Sequence, residues 1–233
     1  MRKIFFILLP VMTLFLNPNF CHPQHFVEQF YDTGLKFAIQ GKFREAKKQF
    51  LDGLNLEPDS PQLKQGLKIV EDVLLEKINP QTAIHLFRSA DYANQGMIDE
   101  SMAEDEKAVL LDPTYAIGFN SLGTSCIQKS LFDKAVDYFS TAIELDPNYC
   151  ESYVMRGLAF IYKKEYKNAL SDFNRAIEIN PRDGGILYNR AIANYLDGNI
   201  GEAAKDVESA VSLGYSVPSD FRNKIRQSLN QLL

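Results

Sequence analysis

The chain has 233 residues, 45% of them hydrophobic, with 13 glycines, 10 prolines and no tryptophan, a composition suited to a soluble helical protein. A net charge of −5 argues against a general nucleic-acid or anionic-membrane binder, which carries a basic face. Length alone allows one or two globular domains, but an internal repeat overrides that count in favour of one elongated, continuous domain.

Residues 1–21 differ from the rest. Arg2-Lys3 precedes an apolar run from Ile4 to Leu16, and Asn17, Pro18 and Asn19 break it, which is the layout of a secretory signal peptide. A spanning helix needs roughly 20 apolar residues, so the run is short for a membrane anchor. No Ala-x-Ala cleavage site occurs, and the best small-residue option cuts after Cys21. A retained anchor and lipid attachment at Cys21 stay open as alternatives, although Asn19-Phe20 suits lipidation poorly. The expectation is an exported protein, periplasmic or secreted, with a short mature tail over residues 22–26.

From Val27 onward the chain repeats. Pro113, Pro147 and Pro181 recur every 34 residues, and Pro58 closes an earlier segment of the same design. The units are Val27–Ser60, Thr82–Tyr115, Ala116–Tyr149, Cys150–Asp183 and a last one from Gly184 to residue 217 that lacks the proline. Their eighth place reads Gly34, Ser89, Gly123, Gly157 and Ala191. The twentieth reads Ala46, Ser101, Ala135, Ala169 and Ala203; the twenty-seventh reads Gly53, Ala108, Ala142, Ala176 and Ala210. Large residues recur at helical spacing, as at the twenty-fourth place, where Phe50, Phe139, Phe173 and Val207 stand beside an exceptional Asp105. Turn-prone pairs such as Gln40-Gly41, Gln95-Gly96 and Asp197-Gly198 split each unit into two helices. Glu57-Pro58, Asp112-Pro113, Asp146-Pro147 and Asn180-Pro181 end the second helix.

The rhythm breaks once. Between the first two units, residues 61–81 have room for one helix only. Leu63, Leu67, Val70, Leu74 and Ile78 predict it over Gln62–Ile78, ended by Asn79-Pro80. It is either a degenerate half-repeat or a partner-binding helix inserted between two blocks. The second unit has His85, Ser89, Ser101 and Asp105 at its diagnostic places, so it is expected to pack least tightly. Residues 61–115 are accordingly expected to act as a hinge. After Pro218, Phe221, Ile225, Leu229 and Leu232 predict a capping helix over 218–233.

The run Tyr153-x-x-Arg156-Gly157-x-x-Phe160, then Tyr166-x-x-Ala169-x-x-x-Phe173-x-x-Ala176 and Asn180-Pro181, resembles the tetratricopeptide repeat, a likeness that extends over about residues 27 to 215. It implies an all-α, right-handed α-solenoid of helical hairpins, closed by the C-terminal capping helix. It also implies a concave face lined by the first helices at the second, fifth, ninth, twelfth and thirteenth places. There the candidates for a peptide groove are Tyr31, Leu35, Leu86, Asn120, Thr124, Ile127, Gln128, Val154, Leu158, Tyr162, Tyr188, Asn189, Ile192 and Tyr195. Their alternative role is to pack unit against unit.

Some members of the family hold a chaperone's C-terminal carboxylate with Lys, Asn and Arg. The matching places here carry Leu86, Ala90, Ser121, Glu151 and Met155, or Asn120, Thr124, Met155, Gly185 and Asn189, with no cation in either set. A chaperone carboxylate-clamp ligand is therefore not expected.

No catalytic constellation emerges. His22, His25 and His85 are scattered, and no His-x-x-x-His, Cys-x-x-Cys, Gly-x-Ser-x-Gly or phosphate loop occurs. No cofactor, metal or enzymatic activity is expected. One polar pattern reads as structural: units with Arg at the seventh place (Arg88, Arg156, Arg190) carry an acid at the twenty-third (Glu104, Asp172, Asp206). These are expected to be ion pairs joining the two helices of a hairpin, with an arginine ladder for an acidic ligand as the alternative. The sequence points to a non-enzymatic exported adaptor that binds an extended peptide or an amphipathic helix of another protein. A structural subunit of an envelope complex and a regulatory subunit of an enzyme stay open as alternatives.

Overall fold

The computed structural model describes residues 24–231, with side chains from Val27 onward, and among these residues every regular element is an α-helix. The signal-peptide reading, Cys21, His22 and Leu232 lie outside the described residues or side chains. Helix α1 (Gln24–Ile39) begins inside residues 22–26, the stretch expected as a tail. The chain divides into two compact units between Lys77 and Ile78, where the repeat had suggested one continuous domain.

The first unit pairs α1 with α2 (Phe43–Leu56) and adds α3 (Pro61–Leu74). Its centre is Phe50, fully buried. A Cβ on Gly34 would stand 2.4 Å from that ring and one on Gly66 would stand 2.9 Å away, so glycines on both sides admit it. Lys47 on α2 pairs with Glu71 on α3 at 2.8 Å. Helix α3 thus covers the open side of the first hairpin, as the next repeat's first helix would.

It also stops earlier than predicted. Leu75 caps it, Glu76 takes φ +56°, and Lys77 N donates to Asp72 O at 2.8 Å, a Schellman-type closure. Asn79-Pro80, read as a helix stop, is a helix start. Asn79 is the N-cap, its side chain accepts from Gln81 N, and Pro80 occupies the first turn, where a missing N–H costs nothing.

The second unit holds four hairpins and a closing helix. The hairpins are α4 (Pro80–Asn94) with α5 (Ile98–Leu111), α6 (Ala116–Gln128) with α7 (Phe132–Leu145), α8 (Cys150–Tyr162) with α9 (Tyr166–Ile179), and α10 (Gly184–Leu196) with α11 (Ile200–Ser212). Helix α12 (Ser219–Asn230) follows and packs on α11. Each second helix also packs on the first helix of the next hairpin, so one core runs through the stack. The expected hinge interval is therefore divided: α3 belongs to the first unit, whereas α4 and α5 pack into the second.

Volume at two places sets each hairpin's packing. Phe139 sits against Gly123 and Phe173 against Gly157, where an added Cβ would stand only 2.6 Å and 2.7 Å from the rings. Where the eighth place grows to Ala191, its partner shrinks to Val207, and where it is Ser89, the partner is Asp105. Second helices stop at Asp112, Asp146 and Asn180, the residues before proline, as the sequence predicted. First helices close on a left-handed residue: Gly96 at φ +75° and Gly198 at φ +87°, but Ser130 at +59° and Lys164 at +62°. A side chain is strained there, so Lys164→Gly is expected to raise stability by about 1 kcal/mol, readable as a shift in the denaturation midpoint.

Candidate functional site

In the second unit, α6, α8 and α10 carry most of the places expected to form the concave face. Thr124, Ile127, Val154, Leu158, Tyr162, Asn189 and Tyr195 are half-buried and Gln128 is exposed. Leu86, Asn120, Tyr188 and Ile192 are buried, so they pack the stack and are not open lining. Asn120, expected to offer its amide to a peptide, accepts instead from Ser152 Oγ at 3.0 Å across to α8.

The C-terminal tyrosines are also engaged. Phe221 on α12 meets Tyr188 and Tyr195 edge-on, each at 5.6 Å between centroids, and Tyr215 lies 5.5 Å from Tyr188. Burial, with Tyr215 beside it, pushes the Tyr188 phenol up to about 12. Tyr162 stacks on Phe132 at 4.6 Å with the planes 5° apart, which raises its phenol through burial. In the first unit Leu35 is buried and Tyr31 tilts against Phe50 at 6.1 Å. Of the expected groove residues on α6 and α8, Thr124, Ile127, Val154, Leu158 and Tyr162 stay partly exposed and Gln128 is exposed, and Asn189 on α10 is half-buried as well.

Two of the three expected ion pairs form. Arg156 donates to both oxygens of Asp172, Nε and Nη2 each at 2.8 Å, while Nη1 donates to Ser140 Oγ at 2.9 Å. Arg190 repeats this with Asp206 at 2.9 and 2.6 Å and with Asn174 Oδ1 at 2.7 Å. Both third partners stand at the twenty-fifth place of the preceding unit, so each arginine ties its own hairpin to the one before. Asn194, an anomaly where an aromatic was expected, donates to Asp206 Oδ2 at 3.1 Å and completes the cluster.

The Arg88–Glu104 pair does not form. Arg88 is exposed, and Glu104 is held by His85 Nδ1 at 2.7 Å and Lys107 Nζ at 2.6 Å. His85 lies one turn before Arg88 on α4 and reaches the carboxylate first. Burial alone would raise the Glu104 carboxyl, but the hydrogen bonds from His85 and Lys107 outweigh it and hold the group below its ordinary value. The twenty-fifth-place partners and His85 were missed in the sequence. The signal lay in polar residues preceding the arginine-bearing units.

Cys126 is a buried free thiol and Cys150 a half-buried one. Among the described residues no cluster of His, Cys, Asp and Glu could hold a metal, and no helix is long and apolar enough to cross a membrane.

Sequence models described as tetratricopeptide repeat match residues 118–149 and 150–183. Among curated protein sequences nothing matches. Solved structures share the fold. A crystal structure of MamA is 21% identical, covers 78% of this chain and 94% of its own, and superimposes with a TM-score of 0.55. The APC/C hetero-tetramer Cut9-Hcn1 is 15% identical over 87% of this chain and 42% of that one, at a TM-score of 0.58. The first TPR domain of human RPAP3 is 18% identical over 51% of this chain and 94% of its own, at 0.50. Residues 118–183 thus carry tetratricopeptide repeats, and the helical hairpins share the α-solenoid fold of these structures.

Proposed function

We propose that this protein is an exported, non-enzymatic adaptor that binds a segment of a partner protein along α6 and α8. The observation that carries the reading is the band of Thr124, Ile127, Gln128, Val154, Leu158 and Tyr162. These side chains are partly open on the first-helix face, while the neighbouring polar groups are already paired within the fold. An extended peptide or amphipathic helix suits such a surface, because tyrosine and aliphatic side chains supply contact area and Gln128 and Thr124 supply polar tips. The absence of cations at the carboxylate-clamp places argues against a chaperone tail as the ligand. Export rests on the composition of residues 1–21: protein recovered outside the cytoplasm is expected to begin near residue 22, and recovery of Met1 on membranes favours a retained anchor instead.

A photo-crosslinking amino acid at position 158, compared with one at Glu144 on the exposed side of α7, tests the binding face. Partner adducts from position 158 and none from 144 are expected. Adducts from 144 alone would assign recognition to the outer surface and sink the reading.

A further inference from the structure

Asp105 occupies the place where Phe139 and Phe173 seal the next hairpins. It is fully buried, at 0% exposure. Ser125 Oγ on α6 donates to its Oδ2 at 3.4 Å, and Ser89 and Ser101 are bonded to each other at 3.0 Å beside it. Its Oδ1 has no partner. No cation answers the carboxylate from any helix packed around it. On α4, His85 is engaged by Glu104 and Arg88 is exposed; on α5, Lys107 is taken by Glu104, while Glu104 and Glu106 oppose a negative charge; at the end of α6, Lys129 is paired with Asp99.

A neutral carboxyl can share hydrogen bonds with the Ser89 and Ser125 hydroxyls. An ionised one keeps the Ser125 bond but leaves Oδ1 buried and unanswered, and opening the hairpin would give that oxygen to water. We propose that the α4–α5 hairpin is a proton-gated element of the second unit, sealed while Asp105 carries its proton and opened locally when the proton is lost. This holds whatever partner the protein binds. Burial pushes the Asp105 carboxyl up to about 7, against the pull of the Ser89 and Ser125 hydroxyls and with Glu104 and Glu106 adding to the rise.

The direction follows from linkage. The exposed carboxyl of the opened hairpin releases its proton near pH 4, and the closed form holds it to about 7. Opening therefore becomes easier by roughly tenfold per pH unit between those values, about a thousandfold in all, and levels off above them. Other acids act oppositely: the carboxyl of Glu104, held low, loses its stabilising bonds only as pH falls. Asp105→Asn, which leaves Glu104 and its partners in place on the same hairpin, separates the two trends.

The test is hydrogen exchange of the intact chain from pH 5 to 8, corrected for intrinsic rates. Residues 80–111 should lose protection as pH rises to 7 while residues 150–179 do not, and Asp105→Asn should flatten the difference. Carbon-detected titration of the Asp105 carboxyl gives a second readout that needs no variant. A midpoint near the ordinary aspartate value, or equal pH profiles for the two hairpins, would overturn the proposal even if Asp105→Asn failed to fold.

Discussion

Arg156→Ala should destabilise the second unit by about 3 kcal/mol, whereas Arg88→Ala should change stability by about 0.5 kcal/mol or less. The two arginines hold the same place in their repeats, but the structure separates them. Asp172 is only 6% exposed and receives two charge-assisted bonds from Arg156, so removing the guanidinium strands a buried carboxylate. The same substitution also cuts the bond to Ser140, which ties α8 to α7. Arg88 is exposed and its expected acid is bound to His85 and Lys107, so nothing is stranded. Replacing Arg156 and Asp172 together by leucine should recover much of the loss, because the larger part of it is an unpaired charge and not a missing attraction. Denaturant unfolding of the three variants is the measurement. Equal losses for Arg88→Ala and Arg156→Ala would refute the assignment, and normal stability with lost partner binding would revive an arginine ladder for an acidic ligand.

Gly157→Ala should cost about 1–3 kcal/mol, while the same change at Gly201 should stabilise by about 0.5–1 kcal/mol. A Cβ at 157 would lie 2.7 Å from Phe173 Cε1 and 2.9 Å from Cζ, and the ring is fully buried with no room to retreat. At Gly201, on the exposed side of α11, nothing lies within 4 Å, so alanine only removes chain entropy from the unfolded state. The chain contains its own rescue. In the last hairpin Ala191 faces Val207, so Gly157→Ala combined with Phe173→Val should cost less than the sum of the two single changes. Additive losses in a double-mutant cycle would mean that the two places do not share one packing volume.

Packing roles limit which variants can report on the proposed binding face. Tyr188 and Tyr195 hold Phe221 of the closing helix, and Tyr162 stacks on Phe132, so truncating any of them disturbs packing as well as a groove. Leu158, which has no ring to stack, and the exposed Gln128 are the better probes.

Helix number, hairpin pairing, the proline-set ends of α5, α7 and α9 and the capping helix were all legible in the residues alone. Each depends on neighbours within one or two turns: a helical period fixes which stripe is buried, and a proline fixes where the helix before it must stop. The volume match of glycine to phenylalanine was also written in the sequence, at two places sixteen residues apart. Which polar groups meet was not. Glu104 takes His85 and leaves Arg88 in water, Asn120 is taken by Ser152, and the Arg156 and Arg190 guanidinia find Ser140 and Asn174 one repeat back. Those outcomes turn on side-chain reach and on competition between donors brought together from distant helices, which only the packed stack decides. Asp105 marks the boundary between the two. Its departure from the repeat is plain in the sequence, but only the closed hairpin shows a carboxyl ringed by serines with one oxygen unanswered.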